Sequence, residues 1–419
     1  MMERILQSRH FHLMFSLFLA LLVLLIYSNT FYASFHFDDA MHIVENYLIR
    51  DLSNFFEILR TQRGVTMLTF ALNYAVGGLN VFGYHLVNTA IHIVNGILVY
   101  LLLYYTIKRF ETVEEWWAKK VAAFTALLFA VHPVQTQAVT YIVQRMESLS
   151  SMFYLLGLLC FVKAVDSKAS TKRALLYGGV VLFYILGFYS KEIAVTLPAI
   201  VFLYDLYFIN RGNVKGVFQR LPLYGVLSLL LIYFVVSTVV PAGGFGDLSK
   251  EAQALSYRDP SAGFGVKSIT PLEYLYTQFN VLIYYIVLLL VPVNQNLDYD
   301  FPISRGLFET PVVKEGTVLN IPIPPPVVSL VILLVIIGIG LYLFLKGRSD
   351  GSLRKLMASF FIFWFFIILS PTSSFVPIID VIFEHRVYLA SVGFFAIFVL
   401  CIDGIFGYMA QKKEHKGIE

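Results

Sequence analysis

Residues 11–46 read "FHLMFSLFLALLVLLIYSNTFYASFHFDDAMHIVEN". From position 11 to 37 there is no Asp, Glu, Lys or Arg. A bilayer core takes about 20 helical apolar residues to cross. Arg4 and Arg9 precede the run. The run is longer than the core of a cleaved leader, so it predicts an uncleaved first helix with a cytoplasmic N-terminus. Two adjacent carboxylates, Asp38 and Asp39, stand where the chain leaves that helix. Neighbouring side chains on a helix or strand point in different directions. The pair is therefore not read as a proton-sharing dyad: one acid takes a proton and the other orients a group. Acids at a membrane helix end favour function over simple capping.

The rest of the chain fits this beginning. Of 419 residues, 58% are hydrophobic and 14% charged, with mean hydropathy +0.74. A soluble domain carries roughly 25% charged residues, so the composition predicts an all-α polytopic membrane protein. Cys160 and Cys401 both lie in apolar runs and read as packing residues. Apolar runs occur near 11–32, 84–107, 118–133, 147–165, 174–190, 194–209, 222–241, 273–291, 327–346, 354–371 and 387–409. The basic stretches "KRFETVEEWWAKK", "KAVDSKASTKR", "NRGNVKGVFQR", "KGRSDGSLRK" and "QKKEHK" belong in the cytoplasm by the positive-inside rule. Eleven full crossings would put "KGRSDGSLRK" outside. Treating 273–291 as re-entrant or interfacial leaves ten crossings with both termini inside, and makes 242–325 an expected active-site wall. The loops "FHFDDAMHIVEN", "HPVQTQAVTYIVQRMES", "SKE", "NQNLDYDFP" and "SSFVPIIDVIFEHRVYL" then share the outer face.

Several constellations carry candidate chemistry. His85, Asn88, His92 and Asn95 fall on one helical face, where they either line a cavity or join helices. His132-Pro133 ends one helix. Arg145 and Glu147 open the next apolar run, and the guanidinium suits either lipid headgroups or a bound phosphate. Lys191 and Glu192 form either a local ion pair or a phosphate contact. "NQNLDYD" is a weak calcium-loop fragment, and Glu384, His385, Arg386 and Tyr388 crowd the entry to the last helix. Walker, dinucleotide and zincin motifs are absent from the sequence, and no nucleic-acid partner is expected.

"FHFDDAMHIVEN", "LTFALNYAVGGLNVFGYHLVN", "FAVHPVQTQAVTYIVQRMESL", "SKEIAVTLP", "PVNQNLDYDFP" and "FEHRVYLASVGF" occur in one order along residues 30–400. In this they resemble the membrane domain of the transmembrane O-mannosyltransferases that carry tetratricopeptide repeats, and their bacterial relatives. The resemblance implies a GT-C glycosyltransferase fold of about 10–11 transmembrane helices with its active site on the outer loops. It implies a single domain over 1–410 with a short cytoplasmic tail over 411–419, in a bacterial inner membrane, working on the extracytoplasmic face. It implies a polyprenyl-phosphate sugar donor, mannose being the family's sugar, with Asp38 and Asp39 at the catalytic acidic motif. Membrane lipids are the implied surroundings. Departures are Gln137, where members often have an acid, "RGV" from Arg63 in place of R-P-L, and Val287 in place of a basic residue. The family's further helix and repeat array are not in the sequence to Glu419.

The expected reaction is inverting transfer of a sugar to a hydroxyl, on protein Ser/Thr or alternatively on a glycolipid or cell-surface polysaccharide. Asp38 or Asp39 is the base. Arg63, Arg145, Lys191 and Arg386 meet the donor phosphate. His85, Asn88, His132, Glu147, Glu192, Glu384, His385 and Tyr388 are expected to contact substrate. No cofactor is required by the sequence, though a divalent ion (magnesium or manganese) at Asp38 and Asp39 is compatible with hard-cation chemistry. The rival class is a transporter or flippase of lipid-linked sugar, which would show inverted repeats and midplane sites.

Overall fold

The computed structural model describes residues 6–239, 262–263 and 266–416. Part of the expected active-site wall, 240–261 and 264–265, lies outside them. Each apolar run forms helix over most of its length. In chain order the principal helices are α1 (Phe11–Tyr27), α2 (Gly64–Gly77), α3 (Val81–Lys108), α4 (Glu115–Val131), α5 (Arg145–Asp166), α6 (Ser170–Phe188), α7 (Leu197–Tyr204), α8 (Leu221–Val239), α9 (Pro271–Leu290), α10 (Pro326–Asp350), α11 (Leu353–Leu369) and α12 (Ser391–Lys416). No β-strand occurs among the described residues, only an isolated bridge between Ala262 and Ile378. The protein is an all-α polytopic membrane protein. Among the described residues, nine helices are long and apolar enough to cross a bilayer, or ten if α4 and the short helix after it, bent by 55°, count as one span.

Local chemistry sets the helix ends. Asn80 caps α3 by accepting from the Phe82 N–H. Thr270 and Glu273 form a reciprocal capping box on α9. Gly351, with φ +65°, closes α10 in the left-handed conformation that favours glycine. The outward faces of α1 and α8 stay apolar, with Leu21 68% and Leu229 70% exposed. Apolar surface on this scale is stable against lipid tails and not against water.

The two ends of the bundle differ in chemistry. At one end the basic loops close on acids: Arg109 meets Asp166 at 2.7 Å, Arg220 meets Asp205 at 2.9 Å, and Arg354 and Lys120 share Asp403. At the other end lie the loops that carry the sequence motifs.

Helix α9 is long and apolar enough to span, and its side-chain bonds run to loops at the motif end. A 20-residue helix is about 30 Å long, so the ends of a crossing helix lie at opposite faces. Along α9, Tyr274 donates to the Thr372 carbonyl, Gln278 to Val381 and Tyr285 to Phe383. Just beyond its C-terminus, Gln295 donates to the Pro133 carbonyl. All four partners belong to loops at the motif end. Helix α9 is continuous, so it is not a re-entrant hairpin. It is one of the helices long and apolar enough to cross, and the bonds above tie it to the loops at the motif end.

Candidate active site

The chain leaving α1 turns at Phe37, a non-glycine residue at φ +45°. Such a conformation costs of order 1 kcal/mol and persists only where surrounding contacts hold it. Those contacts involve both acids. The Asp38 N–H donates to Tyr141 Oη at 2.9 Å. Asp39 accepts from the His36 N–H at 3.0 Å and from the Val143 N–H at 2.7 Å. Asp39 is 1% exposed, whereas the Asp38 side chain is exposed. The neighbours therefore diverge, as adjacent residues must. Asp39 pins the loop onto the 141–143 segment, and Asp38 faces outward. Burial pushes the Asp39 carboxyl up to about 6, against the opposite pull of its two N–H donors.

This geometry corrects the expected two-carboxylate metal site. Both Asp39 oxygens are spent on backbone donors inside the protein. No group of three or more metal-ligating His, Cys, Asp or Glu side chains converges among the described residues. The pair does not fit a dedicated divalent site, and no step is derived through one.

The polar stripe on α3 is glue between helices. His92 Nε2 lies 3.0 Å from the Ala130 carbonyl, which can only accept, so Nε2 carries the hydrogen and Nδ1 accepts. Tyr388 then donates to His92 Nδ1 at 2.7 Å, and Asn95 donates to Tyr388 Oη at 3.0 Å. His85 holds the Ala33 carbonyl, and Asn88 donates to the carbonyls of Val139 and Ile142. All these side chains are buried. The expectation that Asn88 and Tyr388 touch substrate is corrected: each is spent on a neighbouring element, while His85 holds Ala33 through Nε2 and leaves its buried Nδ1 without a hydrogen-bond partner among the described residues. Tyr388→Phe leaves the His92 Nδ1 acceptor and an Asn95 donor unmet, a loss of about 2 kcal/mol. A thermal melt of the detergent-solubilised variant checks this, with an unchanged Tm as the contrary result.

Arg145 is corrected in the same way. The guanidinium is fully buried, donating to Asn88, Thr69, Asn73 and the Tyr84 carbonyl, with Phe70 under its face at 4.5 Å. It clamps α2, α3 and α5 together and shows no face to a phosphate. His132 accepts from the Val134 N–H and lies against Phe395, capping a turn rather than reaching substrate.

The remaining cations lie on the motif-bearing loops. Arg63 makes a two-pronged bond to Glu192, both contacts at 3.2 Å, and is a third exposed. Lys191 reaches Glu147 at 2.9 Å, not its sequence neighbour Glu192. Burial pushes the Lys191 ammonium down, and the Glu147 carboxylate opposes that. Arg386 spends its donors on the carbonyls of Val381 and Asp380, with no carboxylate at ion-pair distance among the described residues. Glu384 anchors the 294–300 loop, accepting from Gln295, the Asn296 N–H and Tyr299. His385 is 5% exposed and has Lys191, Arg386 and Arg63 as its charged neighbours. Arg63 and Asp38 both act on His42 electrostatically, and Asp38 and Arg386 both act on Asp380.

Gly64 explains one departure from the expected pattern. A Cβ there would lie 2.6 Å from the Leu59 carbonyl oxygen. Only glycine lets α2 start so close to the preceding turn and set Arg63 against Glu192. Tyr141, Gln137, Tyr299 and Asp380 also belong to the site. Gln137 stood out only as a departure from the family's acid, and nothing in the residue type or spacing of the other three, which stood inside the quoted stretches, marked them out.

No family model matches the chain, and no solved structure matches it. The chain is a relative of several protein O-mannosyl-transferases. It is 30% identical to TMTC2 of Homo sapiens over 52% of its own length and 28% of that protein's. It is 29% identical to F38B6.6 of Caenorhabditis elegans over 63% of its length and 36% of that protein's. With TMTC1 of Homo sapiens the identity is 33% over 38% of the chain and 18% of the relative. The chain spans about a third or less of the curated relatives it matches.

Proposed function

We propose that the chain is a GT-C glycosyltransferase of the membrane. It moves a sugar, mannose by its relatives' names, from a polyprenyl-phosphate donor to a Ser or Thr hydroxyl of a protein. The motif end of the bundle faces the extracytoplasmic side, and the basic end faces the cytoplasm. The observation that carries this reading is the outward-facing Asp38 carboxylate, pinned through its own N–H and through Asp39.

In the proposed step the acceptor oxygen attacks the anomeric carbon as its proton passes to Asp38. The bond from that carbon to the phosphate oxygen breaks on the opposite side, and the sugar inverts. The leaving polyprenyl phosphate carries away the electron pair and needs charge stabilisation rather than a general acid. Arg386, which makes no carboxylate ion pair among the described residues, and Arg63, which can exchange Glu192 for a phosphate, supply it. Loss of one such contact typically lowers the rate by roughly 10²–10³. A helical bundle with apolar flanks also lets a polyprenyl tail enter from the side, which a soluble enzyme does not offer.

Proteoliposomes of the full chain, given radiolabelled mannosyl phosphoryl polyprenol and a Ser/Thr-rich peptide, are expected to label the peptide. Label in lipid or polysaccharide instead would replace the protein acceptor. Translocation of the donor without cleavage would replace the reaction by transport.

A further inference from the structure

Gln137 determines which nitrogen of His385 carries the hydrogen. The amide has two ends that are told apart only by their partners. One end lies 2.6 Å from the His385 backbone N–H, which can only donate, so that end is the oxygen. The other lies 2.9 Å from the Leu297 carbonyl, which can only accept, so it is the nitrogen. The same Gln137 oxygen lies 3.0 Å from His385 Nδ1. An oxygen facing Nδ1 requires hydrogen on Nδ1, so in the neutral ring Nε2 holds the lone pair. The ring is also fixed in plane, stacked on Phe383 at 5.0 Å and 25°. Nε2 itself has no hydrogen-bond partner among the described residues and is not among the fully enclosed orphan atoms.

The surroundings keep the ring neutral. Burial holds the imidazole well below its ordinary range, and the neighbouring Lys191, Arg386 and Arg63 act in the same direction. The Glu384 carboxylate next in the chain is spent on Gln295, Asn296 and Tyr299. A neutral nitrogen lone pair beside three cations repels a phosphate oxygen, which also offers only lone pairs, and suits an O–H donor.

We infer that His385 Nε2 is a hydroxyl-binding subsite, in a tautomer imposed by Gln137 as positioning residue. The inference rests on the transferase reading for which hydroxyl is bound, either one on the donor sugar or that of the acceptor. The tautomer itself does not depend on that reading. The site thereby divides, with phosphate on the guanidinium side and a hydroxyl on the imidazole.

The test is nitrogen NMR on the full chain in proteoliposomes with 15N-labelled histidine, the His385 signals among the nine histidines being assigned by their loss in His385→Gln. At neutral pH His385 is expected to show a protonated Nδ1 and a bare Nε2. A bare Nδ1, or a ring protonated at both nitrogens, overturns the inference. Gln137→Glu keeps an acceptor at the same place and is expected to keep the signature. Gln137→Leu is expected to give mixed tautomers, with kcat/KM for transfer about tenfold lower, as for one lost hydrogen bond. Three probes then separate the sources. A shift of the Nε2 signal with mannosyl phosphoryl polyprenol assigns a sugar hydroxyl. A shift with the Ser/Thr peptide assigns the acceptor. A shift with inorganic phosphate alone, or with none of the three, overturns the subsite. If the tautomer is as inferred and no transfer occurs with any acceptor, the transferase reading fails and the histidine assignment stands.

Discussion

Asp38→Asn is expected to yield a folded protein with transfer lowered by roughly 10²–10⁴-fold, the usual contribution of a positioned base. Its carboxylate faces outward and its structural bond is made by the backbone N–H, which asparagine keeps. The Tm in detergent should therefore stay close to that of the parent chain. Asp39→Asn is expected to behave in the opposite sense. One of its two backbone donors would face an amide N–H in place of an oxygen, inside the protein. A buried donor left unmet costs about 1–3 kcal/mol, so the Tm falls and activity falls with the loss of folded protein. Full transfer by purified Asp38→Asn would remove Asp38 from the mechanism. A lowered Tm in Asp38→Asn together with an unchanged one in Asp39→Asn would reverse the two roles.

Arg145→Met is expected to be the more damaging change to the fold. It strips the donors from Asn88, Asn73, Thr69 and the Tyr84 carbonyl at the junction of α2, α3 and α5. At about 1–3 kcal/mol for each group left unmet, the total should exceed 3 kcal/mol, a large part of a typical 5–15 kcal/mol stability. Arg145→Lys keeps the charge but not the planar fork, and should rescue only part of the loss. Arg63→Met provides the contrast. Its pair with Glu192 is partly exposed, and such pairs contribute only about 0–1 kcal/mol. That variant should fold normally and lose transfer. Size-exclusion profiles and melts on all three proteins decide the matter. A well-folded Arg145→Met would refute the clamp.

How much of the site was legible depends on the range of each interaction. Asp38 and Asp39 stood out because two charges at the end of an apolar run are unusual in themselves. The outer loops grouped together because the basic residues on the opposite loops are a local count. The α3 stripe was different. His85, Asn88, His92 and Asn95 repeat at helical spacing whether they face a wet cavity or another helix, and only their partners decide. Those partners, Ala33, Val139, Ala130, Tyr388 and Ser148, lie tens to hundreds of positions away.

The sequence by itself determined that this is a helical membrane protein with its motifs on one end. Hydropathy and charge bias act residue by residue against the solvent, so they can be read without knowing the fold. Only the tertiary structure decided which acid faces out, that Arg145 is a clamp, that Lys191 pairs with Glu147, and which nitrogen of His385 is bare. Each of these follows from a directional bond between distant segments, and a directional bond exists only once folding has brought both partners within about 3 Å.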